Sequence, residues 1–283
     1  MQEPCAAMHD LHTHTLWSDG DLSPEALVGE AARAGVRVLA VTDHDTTQGI
    51  AAARAGADAR GIVLVAGVEI SVTWQGLNVH LVGLDIDVDN AALQTGLARL
   101  QTIRRDRARA IVEALARDGL GEARAALVRP GVVGRGHIAD WLVANGHARH
   151  RAGAFKRFLA RGASAYVPVT WASLEEGIAW IRAAGGCSVL AHPTRYDLSA
   201  GRLRQLIAGF AEAGGEALEV VSTGLQAGEI ARLGRLAQHH RLKASLGSDY
   251  HKPLPWRSEP GHLPALPADC VPVWRDRARM QPA

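Results

Sequence analysis

Cysteine, lysine and most aromatic residues are scarce in this sequence, and these scarcities narrow the classes of protein it can be. The 283 residues contain only three each of Cys, Phe and Tyr. Cys5, Cys187 and Cys270 are far apart and form no CxxC pair, which leaves no disulfide framework and disfavours a thiolate zinc site. Few Phe and Tyr also weigh against the aromatic-lined basic groove typical of single-strand binding proteins.

Long apolar runs and an excess of one charge are missing as well. No run of about 18 apolar residues occurs, so we expect no membrane span. The first eight residues lack the basic and apolar segments of a secretory signal, and we expect a cytoplasmic protein. Lys and Arg total 31 against 29 Asp and Glu, a net charge of +2, which does not predict duplex DNA as a partner.

The composition that is present can form a sizeable core, and its apolar runs alternate with helical patterns. Hydrophobic residues make up 47% of the chain and charged residues 21%. Ser23 and Pro24 predict a capped helix start, and Ser173 with Glu176 has capping-box spacing. Gln75 with Gly76 predicts a tight turn between strands at 68–74 and 78–83. Further strands are predicted at residues 6–12, 36–42, 62–68, 187–191, 217–221 and 244–247.

This order of elements predicts an α/β protein with a distorted barrel of about seven parallel strands, similar to a TIM barrel. The alternation stops between residues 90 and 163, where helical patterns at 91–118 and 138–144 flank a Gly- and Arg-rich stretch. We therefore expect a barrel domain formed by residues 1–89 and 164–283, interrupted by a small helical subdomain at 90–163. The chain from Pro253 onward is expected to be an extended tail.

Side chains that can bind metals stand at the ends of the predicted strands. His12 and His14 are two residues apart, so a strand directs both imidazoles to the same side, and Asp249 and His251 repeat this spacing. The carboxyl ends of barrel strands meet at one rim, where catalytic residues gather. The full set contains six histidines and three carboxylates: His12, His14, Asp19, His44, Glu69, His80, His192, Asp249 and His251.

Imidazole and carboxylate ligands without thiolate suit Mn, Zn or Fe with open coordination positions. Nine candidate ligands exceed what one ion uses, so we expect two or three divalent ions that share bridging ligands. Such clusters suit the hydrolysis of phosphate esters, because bound metal lowers the pKa of water to about 7 and supplies hydroxide to attack phosphorus.

In their sequence contexts these residues resemble the motifs of the PHP (polymerase and histidinol phosphatase) family, from Asp10 near the start to His251 near the end. The resemblance implies a PHP-type barrel with manganese as the first expected metal and Zn or Fe as alternatives. One ion would be bound by His12, His14, Glu69 and Asp249. A second would be bound by Glu69, His80 and His192, and a third by Asp19, His44 and His251.

Within this family the sequence is similar to the branch of nucleoside 3′,5′-bisphosphate phosphatases and 5′-to-3′ exoribonucleases, although Gly136 stands where a larger residue is usual. The resemblance implies a phosphomonoesterase that removes the 3′-phosphate of a nucleoside 3′,5′-bisphosphate. Asp43, His192 or His251 would assist proton transfer to the leaving oxygen. The second phosphate would be bound by Arg104, Arg107, Arg135, His137, Lys156 and Arg195, of which Arg195 is the first choice.

Three alternatives stay open at this point. The same metals could trim short, 5′-phosphorylated, single-stranded RNA from its 5′ end, or hydrolyse histidinol phosphate. A metal-binding module without catalysis would be expected to have lost ligands, whereas every expected position holds a competent residue. Small substrates are favoured over RNA by the low net charge, and the sequence does not predict an oligomeric state.

Overall fold

The computed structural model describes residues 9–252 and 259–282 of the chain. Seven strands form one nearly closed, barrel-shaped sheet in the order β1-β2-β3-β4-β6-β7-β8, and β5 pairs only with β3. The first and last strands meet through a hydrogen bond of 3.2 Å from the Leu11 amide to the Leu246 carbonyl. The strands are β1 (His9–Asp10), β2 (Val38–Val41), β3 (Val63–Trp74), β4 (Leu77–Leu84), β5 (Ala172–Ser173), β6 (Cys187–Leu190), β7 (Ala217–Ser222) and β8 (Lys243–Gly247).

The α/β barrel prediction is confirmed, but the expectation of seven parallel strands is wrong for β4. This strand runs antiparallel to both β3 and β6. The cause is the predicted tight turn: Gln75 and Gly76 have φ values of 46° and 77°, and two residues can join only antiparallel strands. The strands predicted at 62–68 and 68–74 are one continuous strand, β3.

Within residues 9–252 and 259–282, eight α-helices accompany the strands, and the predicted caps at Ser23 and Ser173 are present. The Ser23 hydroxyl accepts from the Ala26 amide at 3.2 Å. Ser173 and Glu176 form a reciprocal capping box. The helices are α1 (Pro24–Arg33), α2 (Ile50–Asp58), α3 (Ala91–Arg117), α4 (Arg135–Ala144), α5 (Arg151–Ala154), α6 (Leu174–Ala183), α7 (Ala200–Glu212) and α8 (Ala227–His239).

Both faces of the barrel wall are apolar. Strand β2 is buried at all four positions, as expected when helices cover one face and the barrel interior covers the other. Leu39 and Val41 belong to the large cluster that contains Leu27 of α1, whereas Val38 and Ala40 belong to the smaller cluster inside the barrel. The period of two along the strand therefore separates the two cores.

A third hydrophobic cluster lies in the segment between β4 and β5. It unites Ile111 and Leu115 of α3 with Ile138 and Leu142 of α4 and with Leu159. The first half of α3 packs differently, because Leu93, Leu97 and Leu100 belong to the barrel's outer cluster. Helix α3 is thus shared between the barrel and the separate helical cluster.

Two predicted segments fall partly outside the described residues: positions 6–8 of the first strand and positions 253–258 of the tail. From residue 259 the tail is largely irregular and reaches the barrel, where Val273 is buried and Pro272 forms a parallel bridge with Ala244. Within the described parts, no helix combines the length and the apolar character needed to cross a membrane.

Candidate metal centre

The polar cluster at the barrel rim is centred on Glu69, whose side chain is fully buried. Five imidazoles approach its carboxylate. Their nitrogens lie 2.9 Å away for His44, His80 and His192, 3.3 Å for His14 and 3.4 Å for His12. His12 and His14 follow β1, His44 follows β2, His192 follows β6, and His80 lies within β4, so the barrel fold brings together residues that are far apart in the sequence.

Backbone hydrogen bonds between strand ends fix this geometry. The Asp249 amide donates to the His12 carbonyl at 2.7 Å, and the Asp45 amide donates to the Glu69 carbonyl at 2.9 Å. His192, Asp249 and Asp45 have positive φ values of 27°, 51° and 53°. Non-glycine residues held in this region store strain, which is tolerated where the surroundings over-determine the backbone. The ligand-bearing loops are therefore rigidly placed.

Three overlapping groups of side chains are close enough to share an ion. The first joins His12, His14, Glu69 and Asp249, the set expected for the first metal. The second joins Glu69 and His80 with His44, where the resemblance implied His192. The third contains the expected Asp19, His44 and His251 together with His14. His192 lies beside Glu69 but in none of these groups within the described ranges.

The three carboxylates of the cluster are ionised. Burial alone would raise the pKa of Glu69, but the neighbouring His44 and His80 hold it well below its usual value. The pKa values of Asp19 and Asp249 are lowered in the same way, with His251 as the main opposing charge. Burial and the positive charge of His251 lower the pKa of His14 to about 3. Its imidazole is thus neutral, the form that binds metals.

The donor atoms fit divalent cations. His12 Nε2 and His14 Nε2 are buried and have no hydrogen-bond partner among the described residues. Buried polar atoms without partners are costly and call for an unseen ligand or ion. Imidazoles and ionised carboxylates, without thiolate, are the ligands expected for Mn, Zn or Fe.

Two further carboxylates surround the cluster: Glu219, which was not predicted from the sequence, and Asp10, which belongs to the first motif but was given no role. Glu219, 2% exposed, lies in the apolar strand β7 and contacts His12 Nδ1 at 2.7 Å. Its acidic side chain between apolar neighbours was the signal available. Asp10 accepts from the amides of Ser248 at 2.8 Å and Gly261 at 2.7 Å. Glu219 is a carboxylate behind a metal-binding histidine and fixes its orientation and tautomer, whereas Asp10 holds the backbone of the neighbouring loops.

Asp43 has a different place from the predicted role in proton transfer. Its Oδ1 accepts from the Thr15 amide at 2.7 Å and from the Ser18 hydroxyl at 2.6 Å. Its Oδ2 accepts from the Thr15 hydroxyl at 2.6 Å. With both oxygens engaged and 1% exposure, Asp43 anchors the loop that carries Asp19 instead of facing a substrate.

A cavity of about 480 Å³ opens between this cluster and the helices α3, α4 and α5. Asp19, His44 and His80 of the cluster contribute to its lining. The rest of the lining includes Trp171, Phe155, Ile111 and four arginines: Arg104, Arg107, Arg135 and Arg151. Concave sites with a few convergent charged groups are where ligands bind.

The arginines of this cavity carry positive charge that is only partly compensated. Arg104 is held by Asp45, by the Ser71 hydroxyl at 2.6 Å and by the face of Trp171. Burial, together with the charges of Arg135 and Arg104, lowers the pKa of Arg107 to about 10. Repulsion among cations at a shared site indicates that an anion belongs there.

The remaining predicted substrate residues lie elsewhere. Lys156 is exposed and does not line the cavity. Arg195 is paired with Asp249 at the metal cluster. His137 is buried, and its Nδ1 accepts from the Gly134 amide at 3.0 Å. Arg195, in the loop after His192, therefore contacts the metal cluster, and His137 caps the start of α4.

Arg151 was missed by sequence reasoning, although Gly136 provides its explanation. A Cβ atom at position 136 would collide with the guanidinium group of Arg151. A larger residue at position 136 would displace the end of this side chain, so Gly136 is compatible with a fourth arginine in the cavity. The signal in the sequence was the combination of Gly136 with an arginine at the start of the next short helix.

A barrel that gathers histidines and carboxylates at one rim, beside an arginine-lined cavity, defines a metal-dependent phosphoesterase. The chain belongs to the PHP domain family, whose model matches residues 10–160. This confirms the resemblance on which the fold and enzyme class were predicted.

Relatives with named activities can be aligned with this chain over most of its length. The 5′-3′ exoribonuclease Rnm of Salmonella typhimurium is 45% identical over 95% of this chain and 94% of its own length. A 3′,5′-nucleoside bisphosphate phosphatase of Chromobacterium violaceum is 39% identical over 94% of this chain and 95% of its own. The structure of an amidohydrolase from Chromobacterium violaceum, with bound sulfate and no metal, is 39% identical and superposes with a TM-score of 0.90 over 98% of this chain and 99% of that one.

Proposed function

We propose that this protein removes the 3′-phosphate of nucleoside 3′,5′-bisphosphates, giving a nucleoside 5′-monophosphate and phosphate, and we place this activity in the cytoplasm. The observation that carries the proposal is a single cavity lined both by Asp19, His44 and His80 of the metal-binding cluster and by four arginines. A substrate with two phosphates on one nucleoside matches these two sets of residues. The 39% identical relative with this activity supports the proposal.

The predicted ligands would hold two or three divalent ions, with manganese as the first candidate. When bound, such ions act as Lewis acids toward the phosphate and make water a stronger nucleophile. The residues that would hold these ions are the members of the three groups described above. Glu219 and Asp10 would keep the histidine-bearing strand ends in place.

The protein's own residues position the substrate and the leaving group. Arg107 and Arg135 bind the 5′-phosphate, and Arg104 is oriented by Asp45 to assist them. In this proposal residues 90–163 act as the cap that supplies these arginines, and residues 1–89 and 164–283 supply the metal ligands. Water adds to the 3′-phosphorus, the bond from phosphorus to the 3′-oxygen breaks, and His192 protonates the departing oxygen.

A second candidate, trimming of short 5′-phosphorylated RNA from its 5′ end, uses the same chemistry. Release of a 5′-mononucleotide breaks the same bond between phosphorus and the 3′-oxygen, so the arginines would again hold a 5′-phosphate. The exoribonuclease of Salmonella typhimurium, 45% identical over nearly the whole chain, favours this candidate.

Phosphate release from purified protein supplied with Mn tests the proposal. Adenosine 3′,5′-bisphosphate should be hydrolysed with a far higher kcat/KM than adenosine 3′-monophosphate, adenosine 5′-monophosphate or histidinol phosphate. Arg107→Ala should weaken selectivity for the bisphosphate by about 10- to 100-fold, because a charge-assisted bond to phosphate is worth about 1.5–3 kcal/mol. Equal rates on all four compounds, or none with Mn, Zn or Fe, would contradict it.

A further inference from the structure

A second cavity, of about 430 Å³, lies beside the arginine-lined one, and we infer that it binds the second nucleotide of a 5′-phosphorylated single-stranded oligonucleotide. The inference rests on the proposed function, because it assumes hydrolysis at a 3′-phosphorus whose nucleoside carries a 5′-phosphate. It adds a subsite to that function, and with it a preference for chains over single nucleotides.

The two cavities lie on adjoining faces of helix α3. Arg104, Arg107 and Ile111 face the first cavity, whereas Gln101, Arg105 and Arg109 face the second. At 3.6 residues per turn these two sets occupy neighbouring stripes of one helix. Ala108 and Val133 line both cavities, so only a low ridge of small side chains separates them. A chain anchored in the first cavity can continue across this ridge.

Trp17 forms an aromatic wall of the second cavity. It lies two residues before Asp19, on the loop that Asp43 anchors, so its distance from the metal cluster is fixed. The Val132 amide donates to the Trp17 carbonyl at 2.8 Å. Gly131, at φ 73°, packs so closely on the Trp17 backbone that a side chain would collide with it. The indole is thus a preorganised surface on which a base can stack.

The charge of the second cavity suits a phosphodiester backbone. Arg105, Arg109 and Arg129 line it, and no acidic residue does so within the described parts of the chain. Arg105 is exposed and Arg109 is only 3.8 Å from Asp106 with both side chains largely in solvent. Arg129 donates to the Ser18 carbonyl at 3.3 Å, while its Nε is buried without a partner. An aromatic platform with flanking cations is the pattern of single-strand binding.

The chemistry requires no new step. In an oligonucleotide the scissile phosphorus carries the 5′-oxygen of the second nucleotide in place of a free oxygen. Water adds to phosphorus, the 3′-oxygen of the first nucleotide leaves with a proton, and the phosphate stays on the shortened chain. That chain then carries a new 5′-phosphate, which the first cavity can bind in the next round.

The test compares kcat/KM for adenosine 3′,5′-bisphosphate with that for 5′-phosphorylated di- and triadenylate, in the presence of Mn. Trp17→Ala should lower kcat/KM for the dinucleotide by about 5- to 100-fold, since stacking on an aromatic side chain contributes about 1–3 kcal/mol per base. Trp17→Phe should restore most of it. Arg105→Ala combined with Arg109→Ala should lower kcat/KM for the trinucleotide, and Arg117→Ala on the same helix is the matched control.

Hydrolysis of the bisphosphate should be unchanged in all of these variants, which shows that they fold and keep the metal cluster. Equal losses on all three substrates, or no loss on the oligonucleotides, would overturn the inference. Wild-type protein that hydrolyses the bisphosphate but neither oligonucleotide would overturn it while leaving the proposed function intact. Wild-type protein inactive on all three would instead contradict the proposed function.

Discussion

Glu69 and Glu219 show how single carboxylates organise the centre at the residue scale. Glu69 is approached by five imidazoles, so it is the shared acceptor of the cluster. Glu219 touches only His12 among these histidines, from the opposite ring nitrogen. It can therefore influence metal binding without being a ligand in any of the three groups.

Replacing Glu219 by Gln should weaken binding of Mn by about 10- to 100-fold, the usual effect of losing a carboxylate behind a metal-binding histidine. Isothermal titration calorimetry on metal-free protein measures this directly. Glu216→Gln is the matched control, because Glu216 precedes the same strand but contacts Arg277 instead of a histidine. An affinity equal to wild type in Glu219→Gln would show that His12 is oriented by other contacts.

His137 should make stability fall as the pH becomes acidic. Burial, and then the charge of Arg129, lowers its pKa to about 4. The folded pKa lies below the unfolded value of about 6.5, so this contribution is complete above pH 6.5 and is lost as the pH falls through about 4. Its size is on the order of 3 kcal/mol for 2–3 units of pKa.

An NMR titration of metal-free protein, with His137→Gln used to assign the resonance, should give His137 a midpoint near its lowered pKa of about 4. Unfolding of the variant should depend less on pH between about 6.5 and 4 than unfolding of the wild type. A midpoint near 6.5 would mean that the imidazole is solvated and its charged form is not penalised.

At the scale of elements, close packing between α3 and α6 predicts that alanine substitutions at two helical glycines change the free energy of unfolding by different amounts. A Cβ at Gly96 would clash with the Trp180 ring, whereas Gly228 in α8 has open space. Gly96→Ala should lower the free energy of unfolding by about 1–3 kcal/mol through overpacking. Gly228→Ala should leave it unchanged or raise it slightly, because alanine favours helix. Urea denaturation measures both, and equal effects would contradict the close contact.

Elements that are fixed by contacts close together in the sequence could be predicted. Strand direction and pairing depend on distant segments and could be predicted less well. The caps at Ser23 and Ser173 and the turn at Gly76 rest on contacts within four residues, and all three are present. The direction of β4 followed from that turn, yet a parallel barrel was expected because strand count carries no direction. Runs of apolar residues specify that a strand is buried, not which neighbour it pairs with.

The candidate ligands were proposed because polar side chains follow predicted apolar strands, with a spacing of two at His12 and His14 and at Asp249 and His251. The supporting roles of Glu219 and Asp10 were not predicted, because their hydrogen-bond partners are distant in the sequence and are brought close only by the fold. The arginines illustrate the same limit. Arg107 and Arg135 line the cavity and Lys156 does not, a difference set by the direction of each side chain.

For the whole molecule, metal should contribute to stability as well as to activity. Without divalent ions, His12 Nε2 and His14 Nε2 are buried and have no hydrogen-bond partner among the described residues. Ion binding to the folded state alone adds about 2.7 kcal/mol per site at 100 times Kd. Adding Mn to chelated protein should raise Tm by about 5–10 °C. Differential scanning calorimetry measures the shift. The same addition to Glu69→Gln should raise Tm much less, and an equal rise would place the ions elsewhere.

Helix α3 also decides how this protein can be recombined with its relatives. It is 27 residues long, a rod of about 40 Å whose beginning belongs to one hydrophobic core and whose end belongs to another. In a chimera joined in the middle of α3, the two halves of the helix would come from different parents and would no longer match the residues of both hydrophobic cores. Exchange of substrate preference between homologues therefore requires junctions in the loops before Ala91 and after Leu159, so that α3 is transferred intact.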